Sequence, residues 1–199
     1  MKLRAAVLLV PLFAATTAQA QVVATPYFDS NVAGDVEIGR GGVGASLGYY
    51  WRRLGLELDL ERHPHFFKDE DVAGLVPAQG VDLNTDATLV FANAVVPYRL
   101  EGRAGIWCPY LVAGLGVIRA EFESTALQPA AGQSTTTKQD DLSFTIGGGV
   151  MHALTELVGL RVDLRYLHAL VDESARKGGY FKDYGFWRVS VGFTIGFPR

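Results

Sequence analysis

Apolar and polar residues alternate one for one along four stretches of the chain. Val43, Ala45, Leu47 and Tyr49 alternate with Gly44, Ser46 and Gly48, and Leu54, Leu56, Leu58 and Leu60 with Gly55, Glu57, Asp59 and Glu61. Further on, Val158, Leu160, Val162, Leu164 and Tyr166 alternate with Gly159, Arg161, Asp163 and Arg165. Near the end, Val189, Val191, Phe193, Ile195 and Phe197 alternate with Ser190, Gly192, Thr194 and Gly196. A period of two puts successive side chains on opposite faces of a pleated strand, so each stretch predicts a strand with one apolar face. Less regular strands are expected over Ala87 to Pro97, Tyr110 to Glu121 and Leu142 to Met151. Another is expected within Val22 to Asn31, where Pro26 weakens the pattern because it has no N–H for the ladder.

The segments between these strands fall into two kinds. Short connections are expected near Tyr50–Arg53, Tyr98–Ile106 and Ala153–Leu157. Longer polar ones are expected at His65–Leu83, Phe122–Asp140 and Val171–Asp183, with a shorter member near Ala33–Gly39. In chain order the two kinds alternate, which is the layout of an eight-stranded antiparallel up-and-down transmembrane β-barrel with tight periplasmic turns and longer extracellular loops. A soluble β-sandwich would show the same alternation with its apolar side turned inward. The N-terminus favours the membrane barrel. Lys2 and Arg4 precede a short apolar run, Ala5 to Ala15, and Ala18-Gln19-Ala20 forms a small-x-small cleavage site. Residues 1–20 are therefore expected to be a signal peptide and residues 21–199 the barrel domain. The run is too short for a retained helix, which needs about 20 apolar residues to cross a bilayer.

Composition agrees with an all-β chain. The 23 Gly, 11 Phe, 8 Tyr and 3 Trp are spread along its length; glycine disfavours helices and aromatic residues favour pleated surfaces. A net charge of −3 without a basic patch excludes a nucleic-acid partner. The single cysteine, Cys108, cannot form an internal disulfide and reads as a small packing residue.

In a membrane barrel the apolar faces meet lipid and the other faces line the lumen. Glu57, Asp59, Glu61, Arg161, Asp163, Arg165 and Arg188 then project into one narrow interior, which eight strands leave just wide enough for side chains to fill. Opposite charges confined there should pair, because an unpaired buried charge costs several kcal/mol. A plugged lumen with an Arg–carboxylate network is expected, not an open pore. Aromatic girdles are expected at both rims: Tyr49, Tyr50, Trp51, Tyr98, Trp107 and Phe197 at the periplasmic one, and Phe66, Phe67, Phe122, Tyr180, Phe181, Tyr184 and Trp187 at the other.

These strands resemble the small outer-membrane β-barrel proteins related to the OmpA/OmpX-like porins. The resemblance rests on Gly44-Ala45-Ser46-Leu47-Gly48-Tyr49 with Leu56-Glu57-Leu58, on Asn93 to Tyr98 leading into Pro109 to Gly116, and on Gly147-Gly148-Gly149-Val150 and Leu160 to Tyr166. It implies an outer-membrane location and contact with outer-membrane lipids and lipopolysaccharide. It also implies a last strand, Val189, Val191, Phe193, Ile195 and the terminal aromatic Phe197, read by the outer-membrane assembly machinery. Here Pro198 and Arg199 follow that aromatic, a departure from the pattern. A monomer with a structural, surface-interaction or small-permeation role is the expected function.

The alternative is a lipid A-modifying enzyme, which would need a histidine with a serine or acidic partner at the outer leaflet. His63, His65 and His168, with Asp172 and Ser174, are the candidates, but they match no catalytic motif. His63 and His65 beside Asp69, Glu70 and Asp71 match no metal-ligand spacing. No catalytic residue, metal or cofactor is therefore expected, and the extracellular ligand is left unnamed.

Overall fold

The computed structural model describes residues 20–51, 53–67, 81–102, 105–126, 135–170 and 184–196. Nine strands follow in order among them: β1 (Ala20–Gly34), β2 (Gly41–Trp51), β3 (Leu54–His63), β4 (Val81–Pro97), β5 (Leu100–Gly102), β6 (Gly105–Ala126), β7 (Thr135–Ala153), β8 (Val158–Leu170) and β9 (Tyr184–Ile195). Every pairing is antiparallel between chain neighbours, β1 pairs with β9, and β4 pairs with β6 to close the ring. Eight strands form the wall, while β5 is a three-residue strand hairpinned onto the start of β6. No helix occurs among the described residues. The expected eight-stranded up-and-down barrel is the fold.

The wall is inside-out relative to a soluble sandwich. On β3, Leu56, Leu58 and Leu60 are 55–56% exposed on the outside, whereas Glu57, Asp59 and Glu61 are 4%, 0% and 1% exposed within. Val191, Phe193 and Ile195 likewise point outward from β9. Pro26 sits in β1 on the outer face, and the ladder to β9 skips Thr25 and Pro26, as the missing N–H requires.

Several strands run beyond their expected ends. β4 begins at Val81, β6 continues to Ala126 and β7 begins at Thr135, so much of the segment expected as a loop from Phe122 to Asp140 is a paired ladder. Opposite charges oppose each other across it. Arg119 donates to both carboxylate oxygens of Asp140 at 2.6 and 2.9 Å, and Lys138 donates to Glu121 at 2.6 Å. Such cross-strand pairs favour a ladder over a polar loop, and a reading keyed to apolar alternation does not register them.

The aromatic rims also need correction. Tyr49, Tyr98, Trp107 and Trp187 are exposed on the outer wall. Tyr50, Phe66, Phe67 and Tyr184 are buried inside instead. Tyr50 and Tyr184 stand at inward positions of their strands. Phe66 and Phe67 follow β3, where His65 takes a left-handed φ of 53° and turns the chain over the barrel mouth. There the Phe66 N–H donates to the Thr85 carbonyl at 2.7 Å, and the Phe66 carbonyl accepts from the Glu37 N–H at 3.0 Å. Of the other expected rim residues, Tyr180, Phe181 and Phe197 lie outside the described residues, as does the side chain of Phe122.

The lumen is therefore layered, not uniformly small and polar. At the turn end Val23, Tyr50, Val95, Cys108, Val112 and Met151 pack together. At the loop end a larger cluster includes Phe66, Phe67, Phe91, Ile118, Leu167 and Phe186. Phe66 meets Phe67 and Phe186 edge-on, with ring centroids 4.9 and 5.2 Å apart. The charged side chains lie between these two layers. Phe66→Ala should cost about 3–5 kcal/mol of stability, the usual range for a buried phenylalanine, read as a lower urea midpoint for unfolding from detergent or vesicles.

Candidate functional site

The middle of the lumen is built from a few strands. Inward positions of β3 supply Glu57, Asp59, Glu61 and His63, those of β8 supply Arg161, Asp163 and Arg165, and β9 adds Arg188 and Ser190, all buried. In the ring of eight, β3 and β8 stand four strands apart whichever way the wall is followed, and thus face each other across the full diameter. Their side chains meet in the middle.

Arg161 reaches across to Glu57 with both terminal nitrogens, at 2.5 and 3.1 Å, and its Nε donates to the Tyr110 hydroxyl at 2.8 Å and to Asp163 at 2.9 Å. The guanidinium carbon also lies 4.8 Å from the Tyr110 ring centroid. Arg165 donates to Asp59 at 2.6 Å, and its Nε and second terminal nitrogen donate to Asp163 Oδ1 at 3.1 and 3.0 Å. Asp163 thus lies between two arginines, and Ser190 donates to its other oxygen at 3.2 Å. Arg188 pairs with Glu61, whose Oε1 accepts from the Tyr27 hydroxyl at 2.8 Å. All seven charged residues singled out from the sequence meet in this column.

Four contributors were missed by the sequence reading: Tyr27, Asn93, Tyr110 and Asp29. Asn93 donates to Asp59 at 2.8 Å. Tyr27 and Asp29 stand at inward positions of β1, where Pro26 masks the alternation. Tyr110 is an aromatic in an apolar run, and only its register against β7 turns its hydroxyl inward to Arg161.

The candidate histidines separate. His63 is fully buried in the lumen. His168 lies on the outer wall at the loop end in a cluster with Phe144, Tyr166 and Trp187, and the Tyr166 hydroxyl is 3.4 Å from its Nδ1. No serine or carboxylate among the described residues hydrogen-bonds His168; Asp172 and Ser174 lie outside them, as do Asp69, Glu70 and Asp71. Cys108 is a buried free thiol in the turn-end layer.

Residues 5–197 match the family model for the outer membrane protein β-barrel domain. The chain belongs to this family. No curated protein matches it in sequence. Among solved structures, this outer-membrane barrel is similar to Neisserial surface protein A, with 20% identity over 89% of this chain and 96% of that one and a TM-score of 0.52. The N-terminal β-barrel domain of Pseudomonas aeruginosa OprF is also similar, with 17% identity, 88% and 97% coverage and a TM-score of 0.52. A major outer membrane protein from Thermus thermophilus gives 12% identity, 90% and 100% coverage and a TM-score of 0.60. At these identities the likeness is one of fold. Barrels of this family carry tight turns at the periplasmic end and larger loops outside.

Each ion in the column has lost its water, a cost that the Coulomb attraction and the hydrogen bonds offset only while both partners are present. Arg161→Met should therefore cost about 3–5 kcal/mol by stranding Glu57, and adding Glu57→Met should recover most of that loss. Urea unfolding followed by heat-modifiable gel migration measures both.

Proposed function

We propose that the protein works in the outer membrane as a closed barrel with a structural and surface-interaction role, and that it is neither a diffusion pore nor an enzyme. One observation carries the reading: guanidinium groups of β8 bridge to carboxylates on the opposite wall at 2.5 and 2.6 Å, between two apolar layers. A solute crossing the lumen would have to break these pairs and part the Phe66 cluster, each at a cost of several kcal/mol. In this reading residues 1–20 are a signal peptide cleaved at export. The assembly machinery reads the outward face of the last strand, where Val191, Phe193 and Ile195 are exposed and Val189 is half-buried; Phe197 lies outside the described residues. The outward apolar residues then contact lipid and lipopolysaccharide around a single copy of the chain, and recognition falls to the loop end. The similar structure from Neisseria is named a surface protein, which accords with a role there.

A second reading, lipid A modification, rests on His168, which stands on the outer wall beside Tyr166. Purified protein in planar bilayers should give no stable conductance steps and no solute flux in liposomes above the protein-free level; large regular steps would overturn the closed-barrel reading. Expression should leave the lipid A mass spectrum unchanged, and a modified species reversed by His168→Ala would establish the enzyme instead.

A further inference from the structure

We propose that Asp29, Glu61 and His63 form a binding site for a divalent transition-metal ion, with Zn2+ the ion that fits best. One ligand atom from each residue lies within 4.8 Å of the other two, and all three residues are buried. His63 Nε2 stands 3.1 Å from Asp29 Oδ1 and 3.5 Å from Glu61 Oε2. Donors sharing a tetrahedral zinc ion at about 2.0–2.2 Å are spaced about 3.4 Å apart, so an ion can be accommodated with small adjustments.

The wall is shaped to bring these groups together. Asp29 of β1 pairs with Gly42 of β2, and because Val43 pairs with Arg62, Gly42 comes level with His63 of β3. A Cβ at Gly42 would lie 2.6 Å from Asp29 Oδ1 and 2.6 Å from His63 Cε1. The missing side chain is what lets residues two strands apart meet over the intervening strand.

The groups are also left wanting a cation. Asp29 receives no aligned side-chain hydrogen bond, its polar neighbours being the Gly42 backbone and the His63 imidazole, and His63 Nδ1 has no partner. A buried carboxylate in that condition costs several kcal/mol unless a positive charge joins it. The ion pairs form two groups, Glu57, Asp59 and Asp163 with Arg161 and Arg165, and Asp29 and Glu61 with Arg188 and His63, and each leaves one negative charge when His63 is neutral. A divalent ion in the second group brings the two together to neutrality. An imidazole nitrogen with two carboxylate oxygens selects the transition metals over Mg2+ and Ca2+, which prefer oxygen-only shells. Glu61 is the weakest of the three ligands, since it already accepts from Arg188 and Tyr27. The Phe66 ring packs edge-on against the buried His63, with centroids 5.5 Å apart, so the ion enters as the barrel folds.

The test is to refold urea-denatured full-length protein into detergent with Zn2+, remove free metal, and measure bound zinc with a colorimetric chelator alongside the melting temperature. The expected result is about one Zn2+ per chain and a raised melting temperature, with Mg2+ giving neither. His63→Gln and Asp29→Asn should each weaken binding by at least about tenfold while keeping heat-modifiable migration, and His168→Ala should bind like the parent. Absence of stoichiometric zinc in the parent overturns the proposal, as does equal retention in His63→Gln and Asp29→Asn or equal loss in His168→Ala, the mark of an adventitious ion only. Co2+ in the parent protein gives a readout that needs no variant: visible absorption typical of imidazole–carboxylate coordination supports the site, and a spectrum of hexaaqua cobalt rejects it.

Discussion

The narrowness of an eight-stranded ring governs the rest of this molecule. A barrel of this size has no room for water-filled separation between its walls, so side chains from opposite strands must touch. Whatever β3 carries inward has to be complemented by β8, which stands diametrically opposite. Acidic residues at Glu57 and Asp59 therefore demand cations at Arg161 and Arg165, and the pairs form along the diameter. Because Arg161 and Arg165 are both shared with Asp163, these pairs behave as one network, in which a change at one pair alters the partners available at the other.

The apolar layers set the strength of that network. Water reaching the ion pairs would weaken every Coulomb contact, and the two ends of the lumen are where it would enter. Phe66, Phe67 and Phe186 cover one end; Tyr50, Val95 and Met151 fill the other. Desolvation makes each pair stronger once formed and makes the loss of either partner more costly. The arrangement stiffens the barrel without an internal disulfide, which the single Cys108 could not provide.

The barrel was legible in the sequence because lipid outside and charge inside give β3, β8 and β9 an unbroken period of two. The seven charged lumen residues followed from that same period, since each is the polar member of an alternating strand. What was not legible depends on register and on turns. Tyr184 reads as a rim aromatic until its parity places it inward, and Phe66 enters the lumen only because His65 adopts a left-handed turn. The extension of β6 and β7 rests on Arg119–Asp140 and Lys138–Glu121, pairs visible only once the two strands are aligned. Asp29 shows the limit most clearly. Pro26 weakens the strand pattern around it in the sequence, and its neighbour His63 comes from a different hairpin.

The same logic explains why the loop end of the charged column differs from its middle. At Glu57 and Asp59 the opposing wall supplies arginines, and the carboxylates are met by guanidinium forks. One step toward the loops, Arg188 comes from β9 and pairs with Glu61, while Asp29 has no guanidinium partner. At this level β2 contributes only the hydrogen of Gly42, so His63 is brought against Asp29 where a larger residue on β2 would have held them apart. Half of the charge deficit thus lies where an imidazole is available to share it. The position follows from which strands carry arginine and which carries glycine, and it requires no distortion of the barrel wall.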